Sequence, residues 1–247
     1  MAKKKNDTDE YLPYVYILDL DDTLYKEIDF VHSAFCHIDR LLVADYGFPA
    51  GEARRIMLEA LMSDKNSFDA LDTKLKEAGI NIPNAISWMV DEYRYHIPQI
   101  YLSDEAYEFI SELDELDIEM YIITDGRSVT QRNKIRALGL DEFIPPENVF
   151  ISEEVGEEKI NGTSFSKIMK RFEDVGLLEE IRFVFVGDNP SKDFIIGNTF
   201  NYPTVMLLDD GSNIHRQDMR VPRSFRPQFE VEKLTDVITL MESGAFS

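Results

Sequence analysis

Cysteine is almost missing from this chain of 247 residues: Cys36 is the only one. No disulfide can form within it, which fits a reducing compartment. Positive charge is also short. Lys and Arg number 26 against 47 Asp and Glu, a formal net charge of −21. Such a chain lacks the positive face that a nucleic-acid backbone requires, so no nucleic acid is expected as a partner. An anionic substrate would need local positive charge or a cation to overcome the general field. No apolar run approaches the roughly 20 residues of a membrane span. The segment Met1 to Glu10 carries no apolar stretch of the signal-peptide kind, so a cytoplasmic protein without a membrane partner is expected. Lys3, Lys4 and Lys5 read as a solvated tail. What the chain does have is 44% hydrophobic and 11% aromatic residues, enough for a globular core. Its length suits one large domain or a domain carrying an insert.

The chain is organised around Tyr14-Val15-Tyr16-Ile17-Leu18-Asp19-Leu20-Asp21-Asp22-Thr23-Leu24-Tyr25. The apolar run, rich in aromatic and β-branched residues, reads as a buried strand. It leads directly into three carboxylates. Side chains alternate on an extended chain, which starts Asp19 and Asp21 on one side and Asp22 on the other. Close carboxylates repel, and one is pushed towards its neutral form unless a cation joins them. Hard divalent cations prefer oxygen ligands. A metal-assisted site and a plain acidic turn both fit these residues. A calcium-binding loop does not, because Leu24 stands where that loop needs glycine.

From Tyr25 to about Ile97 the pattern is helical. Phe30, Phe35, Ile38, Leu41, Leu42 and Tyr46 mark one helix, stopped at Gly47. Ile56, Leu58, Leu61 and Met62 mark a second, and Phe68, Leu71, Leu75 and Ala78 a third, ended by Gly79. Pro83 is placed to open a fourth at its first position, carrying Trp88, Met89 and Tyr93. Trp88, Tyr93 and Tyr95 read as core residues or as a stacking surface for a base or sugar. His32, His37 and His96 have no metal spacing and read as surface or core.

A strand–helix alternation follows. Ser103 or Asp104 caps a helix through Leu113. Met120 to Ile123 is a second strand, ending in Thr124-Asp125-Gly126. Ser128 is expected to cap the next helix, from about Val129 to Leu138, with Gly139 as its stop. The free N–H groups of that helix and Arg127 at the same corner suit an anion. Ser164 is expected to cap a helix carrying Phe165, Ile168, Met169 and Phe172, with Gly176 after it. Phe183 to Val186 is a third strand, ending in Gly187-Asp188-Asn189-Pro190-Ser191-Lys192-Asp193. Three strands separated by helices imply parallel pairing, with ligands outside the carboxyl ends. All three polar clusters sit there. Beyond Asp209-Asp210-Gly211, a turn, lies a loop from His215 to Arg226 with Arg216, Arg220 and Arg223. It reads as a solvated stretch or as an attractor for an anionic substrate or another subunit. Val231, Leu234, Val237, Ile238 and Met241 fit a closing helix.

Asp19-Leu20-Asp21-Asp22-Thr23-Leu24 resembles the opening motif of the haloacid dehalogenase superfamily of phosphohydrolases. Thr124 resembles the second motif, and Gly187-Asp188 with Asp193 the fourth. Lys159, in Glu157-Glu158-Lys159-Ile160, best matches the third. Many members follow that lysine with proline, where this chain has Ile160, so Lys167 and Lys170 compete for the place. The resemblance runs from about Tyr14 to Leu208. It implies an α/β, Rossmann-like three-layer core with a parallel sheet, formed by residues 11–26 and 98–247, and an all-helical cap, residues 27–97, inserted after the first motif.

The implied activity is Mg²⁺-dependent hydrolysis of a small phosphorylated metabolite. Asp19 would attack phosphorus, and Asp21 would protonate the leaving oxygen and then activate water. Asp19, the backbone carbonyl of Asp21 and Asp188 would hold the metal. Thr124, Asp125, Gly126 and Lys159 would surround the phosphoryl group, with Asp193 and Asn189 behind them. A 2-haloacid dehalogenase shares the nucleophile, but members of that class work without metal and lack the second acid, so Asp21 argues against it. A nucleotide monophosphatase, a sugar phosphomutase and a non-catalytic phosphate-binding or interaction protein remain open on the same core. A signalling receiver domain is shorter and carries its acid pair before the phosphorylated Asp.

Overall fold

The computed structural model describes residues 13–246; the lysine tail lies outside the described residues. Six parallel strands form one sheet: β1 (Tyr14–Leu18), β2 (Glu119–Thr124), β3 (Val149–Ile151), β4 (Arg182–Gly187), β5 (Thr204–Leu207) and β6 (Phe229–Val231). Their order is β3-β2-β1-β4-β5-β6, the order of a Rossmann-like doubly wound fold. Three strands are legible as apolar runs in the sequence. The other three are short, and β6 takes Val231 away from the closing helix, which starts only at Thr235 as α10 (Thr235–Glu242).

A parallel sheet is buried on both faces, and β1 shows it. Tyr16 and Leu18 face one apolar layer with Phe109, Leu113, Ile122, Val184 and Val237. This layer is supplied by α5 (Asp104–Glu115), α6 (Ser128–Ala137) and α10. Val15 and Ile17 face the other layer, with Phe165, Ile168, Phe172, Phe183 and Phe185. There α8 (Thr163–Asp174) sets Phe165 edge-on to Phe183, with ring centroids 4.9 Å apart, an aromatic geometry that adds to plain burial. Two short helices complete the core: α7 (Ser152–Val155) and α9 (Ile195–Thr199).

Between β1 and α5 the chain forms α1 (Glu27–Tyr46), α2 (Glu52–Met62), α3 (Ser67–Glu77) and α4 (Ala85–Tyr95). These helices bury an apolar cluster of their own, including Val31, Phe35, Ile38, Leu42, Met57, Leu71 and Met89. Gly47, at φ 63°, ends α1 with Gly47 N–H on the Val43 carbonyl and Phe48 N–H on that of Leu42, the paired bonds of a left-handed helix stop. Trp88 and Tyr93 pack against this cluster.

Three helix starts differ from expectation. Pro83 lies outside α4, whose cap is Asn84 at φ 52°. Ser128 is the first residue of α6 rather than its cap, because the Glu153 carboxylate accepts its N–H at 2.7 Å. Ser164 sits buried inside the first turn of α8, which Gly162 opens at φ 77°. Ser103 does cap α5, accepting from Ala106 N–H.

Candidate active site

The sheet order places β1 between β2 and β4, so the residues that follow these strands meet at one edge. Asp19 N–H donates to the Val186 carbonyl at 2.9 Å and carries the ladder one residue past β1. The chain then turns with Asp22 at φ 56°. Asp22 is buried. Its carboxylate accepts from Glu27 N–H at 2.9 Å and from Ile214 N–H at 3.2 Å, tying the turn to the start of α1 and to the loop after β5.

On one side of the cavity, carboxylates outnumber cations. Lys159 Nζ stands 2.7 Å from Asp19 Oδ1 and 2.5 Å from Asp193 Oδ1. Its backbone N–H donates to Asp125 Oδ1 at 2.9 Å, which fixes the loop that presents it. Lys167 and Lys170 lie exposed on α8. Asp188 is only 5% exposed, and its carboxylate accepts from Asn213 Nδ2 at 3.1 Å. Oxygens of Asp19, Asp188 and Asp193 lie within 4.8 Å of one another. Burial pushes the Asp19 carboxyl up to about 7; Lys159 opposes the rise, and Asp193 and Asp21 add to it. Burial, then repulsion from Asp19, Asp193 and Asp22, takes Asp188 up to about 9. Three buried carboxylates around one lysine leave negative charge uncompensated, and an all-oxygen donor set of this kind fits a hard divalent cation. Gly187 leaves room for the Asp193 carboxylate: a Cβ there would lie 2.5 Å from Asp193 Oδ2.

Asp21, two residues on, is surrounded differently. Lys134 Nζ lies 2.6 Å from its Oδ1, Gln131 Nε2 donates to Oδ2 at 2.8 Å, and the Tyr25 hydroxyl donates to Oδ1. Burial pushes this carboxyl up, but the charge and hydrogen bond of Lys134, helped by Tyr25 and Gln131, outweigh burial and hold it below the usual range. The expected neutral member of the acid pair is thus not Asp21. Gln131 and Lys134 are the residues that sequence reasoning passes over. Their signal is faint: a glutamine and a lysine three apart, on one face of the helix that follows Thr124.

A cavity of about 140 Å³ lies between these two sides, lined by Asp19, Asp21, Thr124, Lys159, Asp188 and Asn189, among others. Thr124 is 1% exposed and accepts from Gln131 Nε2 at 2.7 Å. Asp125 lines the cavity as well, and the side chain of Asp125, the N–H of Gly126 and the side chain of Arg127 each have a protein partner. The Asp125 carboxylate holds the Lys159 loop and Lys192, the latter at 2.9 Å. Gly126 N–H donates to Ser152 Oγ. Arg127, exposed, pairs with Glu153. Asn189 shapes the turn, accepting from Ser191 N–H and donating its own N–H to Asp193 Oδ2 at 2.7 Å. Glu27 and His215 also line the cavity, and burial followed by the charge of Asp21 takes the Glu27 carboxyl up to about 7. Of the basic loop only His215 reaches the cavity; Arg220, for example, pairs with Asp218 in solvent. None of Trp88, Tyr93 and Tyr95 lines it.

The sheet order is that of a haloacid dehalogenase-like hydrolase. The profile of that family matches residues 16–207, and the chain belongs to it. Among curated relatives, the chain is 29% identical over 201 residues to the glyceraldehyde 3-phosphate phosphatase of Methanocaldococcus jannaschii, covering 78% of this chain and 83% of that one. It is 24% identical over 231 residues to the pyrophosphatase PpaX of Halalkalibacterium halodurans, covering 91% and 95%. The magnesium-bound structure of the putative hydrolase YfnB of Bacillus subtilis superposes with a TM-score of 0.56 at 24% identity, covering 93% of this chain and 99% of that one. Among the described residues no helix is long and apolar enough to cross a membrane.

Proposed function

We propose that this chain is a Mg²⁺-dependent phosphatase of a small phosphorylated metabolite, working through a phosphoaspartyl intermediate on Asp19. The observation that carries the reading is the Asp19 carboxylate on the cavity wall, gripped by Lys159 and flanked by Asp188 and Asp193. Asp19 and Asp188 would hold the metal with the Asp21 carbonyl, and Asp193 is placed to join them or to orient a water. The ion would supply the positive charge that lets an anionic nucleophile meet an anionic phosphate.

In the first step an Asp19 oxygen bonds to phosphorus as the bond to the leaving oxygen breaks. Thr124 and Lys159 hold the phosphoryl oxygens. Asp21 gives its proton to the leaving oxygen; the phosphate dianion beside it raises its proton affinity for that purpose. In the second step Asp21 takes a proton from water, the water oxygen bonds to phosphorus, and Asp19 is released. Such proton transfers contribute ~10²–10⁴-fold. Residues 27–97, with their separate core, act as a cap that closes over Asp19 and keeps bulk water out. The small, polar cavity, with no Phe, Tyr or Trp in its lining, supports a short polar leaving group over a nucleoside, in line with the substrates of the two curated relatives.

The test is phosphate release across a panel of phosphorylated metabolites with Mg²⁺. Turnover of at least one sugar or triose phosphate, abolished in Asp19→Asn, is expected. Inactivity across the panel, or activity retained in Asp19→Asn, overturns the reading. Hydrogen exchange with beryllium fluoride and Mg²⁺ should show protection on the cavity side of α1 and α4; unchanged exchange there removes the cap from it.

A further inference from the structure

Lys134 and Gln131 belong to no motif that the sequence displays, yet they are 3% and 2% exposed. They rise from one face of α6, one turn apart. Lys134 Nζ lies 2.6 Å from Asp21 Oδ1 and 4.5 Å from the centre of the Phe30 ring on α1. Gln131 Nε2 is shared between Asp21 Oδ2 at 2.8 Å and Thr124 Oγ1 at 2.7 Å. The close approach depends on Gly126, where a Cβ would sit 3.1 Å from the Gln131 side chain. The next positions of the same helix hold the end of the helical insertion: Thr130 Oγ1 donates to the Arg94 carbonyl at 3.2 Å and Asn133 Nδ2 to that of His96 at 3.3 Å. A buried ion pair is a weak way to gain stability, since apolar residues of similar size often serve as well or better. An ion pair kept here points to a use other than packing.

We propose that Lys134 and Gln131 are positioning residues for the phosphatase reaction. They grip the Asp21 carboxyl by both oxygens and set it at a fixed distance from the Thr124 hydroxyl, so that the acid and the phosphate-holding group move as one piece. Phe30 seats Lys134 from the insertion side, which keys the acid to the placement of α1. The inference rests on the function proposed above.

The experiment compares p-nitrophenyl phosphate with phenyl phosphate, similar in shape but different in leaving-group basicity. A misplaced acid harms the poorer leaving group more, and misplacement by about 1 Å costs about 100-fold. Lys134→Met is expected to lose about 100-fold in kcat/KM on phenyl phosphate and only a few-fold on p-nitrophenyl phosphate, kcat/KM being the quantity that reads the departure of the leaving group and not the shared second step. Gln131→Met, which keeps the ion pair, should lose about tenfold in the same direction. In an Asp21→Asn background neither change should cost anything further on phenyl phosphate, because the group they position is gone. Equal losses on both substrates, or full additivity with Asp21→Asn, overturn the proposal. If Lys134→Met does not fold, Gln131→Met decides. A wild type that hydrolyses neither these esters nor any compound of the metabolite panel overturns this inference together with the parent reading. An active wild type silenced by Asp19→Asn, with variants blind to the leaving group, overturns this inference alone.

Discussion

Asp19 and Asp21 are the same side chain two residues apart, at the edge of the same sheet, in opposite surroundings. Around Asp19 the protein gathers Asp188 and Asp193 and offers one lysine, which pairs with Asp19 and Asp193. Around Asp21 it offers a lysine, an amide and a phenol to one carboxylate. Position along the strand does not divide the labour; the partners brought in by distant loops do. Negative charge left over on one side fits a cation, and charge fully matched on the other makes a fixed, countered acid.

The largest break in this contrast is loss of the uncompensated side. Asp188→Asn should abolish phosphate release, as should exhaustive chelation in the wild type. Mg²⁺ at about 100 times its Kd stabilises a one-site protein by about 2.7 kcal/mol, so melting curves with and without Mg²⁺ should separate for the wild type and coincide for Asp188→Asn. Full activity with no metal detected by elemental analysis would contradict it.

Next comes the compensated side. Asp21→Asn should still be phosphorylated by p-nitrophenyl phosphate, whose leaving group needs no proton, and then stall because no base activates water. The expected trace is a burst near one equivalent, then slow release, with phosphate on Asp19 by intact-mass spectrometry. Metal content must match the wild type for the comparison to count. A burst-free, unmodified Asp21→Asn would show that the two acids do not divide the work.

A smaller and more selective perturbation is Gly187→Ala. Its methyl group displaces Asp193 rather than removing it, which loosens Lys159 and the acid cluster while leaving Asp21 in its cage. About a tenfold to hundredfold loss of kcat is expected, with the burst on p-nitrophenyl phosphate slowed and the ratio between good and poor leaving groups unchanged. A changed ratio would mean that the two sides are not separate.

The smallest effect lies outside both. His96 Nδ1 lies 2.9 Å from the Tyr93 carbonyl and Nε2 lies 3.1 Å from Ser33 Oγ, which itself accepts from Gln99 N–H. One neutral tautomer satisfies every partner: the proton sits on Nδ1 and Ser33 donates to Nε2. Burial lowers the pKa of this histidine, with His37 and Arg40 assisting and the Tyr93 carbonyl and Glu92 opposing. The unfolded chain binds a proton near pH 6.5 and the folded chain only lower. The contribution of His96 to stability is therefore full above that pH and is lost as pH falls below it. One proton limits the slope to about 1.4 kcal/mol per pH unit. The carboxyls of Asp19, Glu27 and Asp188 titrate with the opposite sign and contribute to both proteins, so in denaturant melts between pH 5 and 8 the stability difference between wild type and His96→Gln should carry this slope; a pH-independent difference would refute the assignment.

Much of this was legible in the sequence because strong local patterns survived folding. The runs at Tyr14, Met120 and Phe183 became the three central strands, and the acids after them converged. The strands β3, β5 and β6 hid because three or four residues do not make a pattern, and Val231 followed a helical spacing into a strand. Ser128 and Ser164 look like caps to any local rule; Glu153, from another segment, serves the first, and burial claims the second. Asp125 and Gly126 beside Thr124 suggested phosphate contacts; Asp125 does line the cavity, while its carboxylate serves Lys159 and Lys192 and the Gly126 N–H serves Ser152, partners from distant segments that no local pattern shows. Lys134 was invisible for a similar reason. A lysine on a helix reads as solvated until the fold closes an aromatic ring and a carboxylate around it.

The central place of β1 also sets a timetable. It pairs with β2 and β4, so it acquires its second neighbour only when synthesis has passed Gly187, well over a hundred residues later. Until then its edge is open and apolar, a template for wrong pairing. Contacts this distant in sequence form slowly. Chains truncated just before Arg182 should therefore emerge as soluble aggregates on size-exclusion chromatography, while chains that include β5 should elute as compact species. For a newborn molecule, the same strand that gathers the acids is the one most in need of a chaperone.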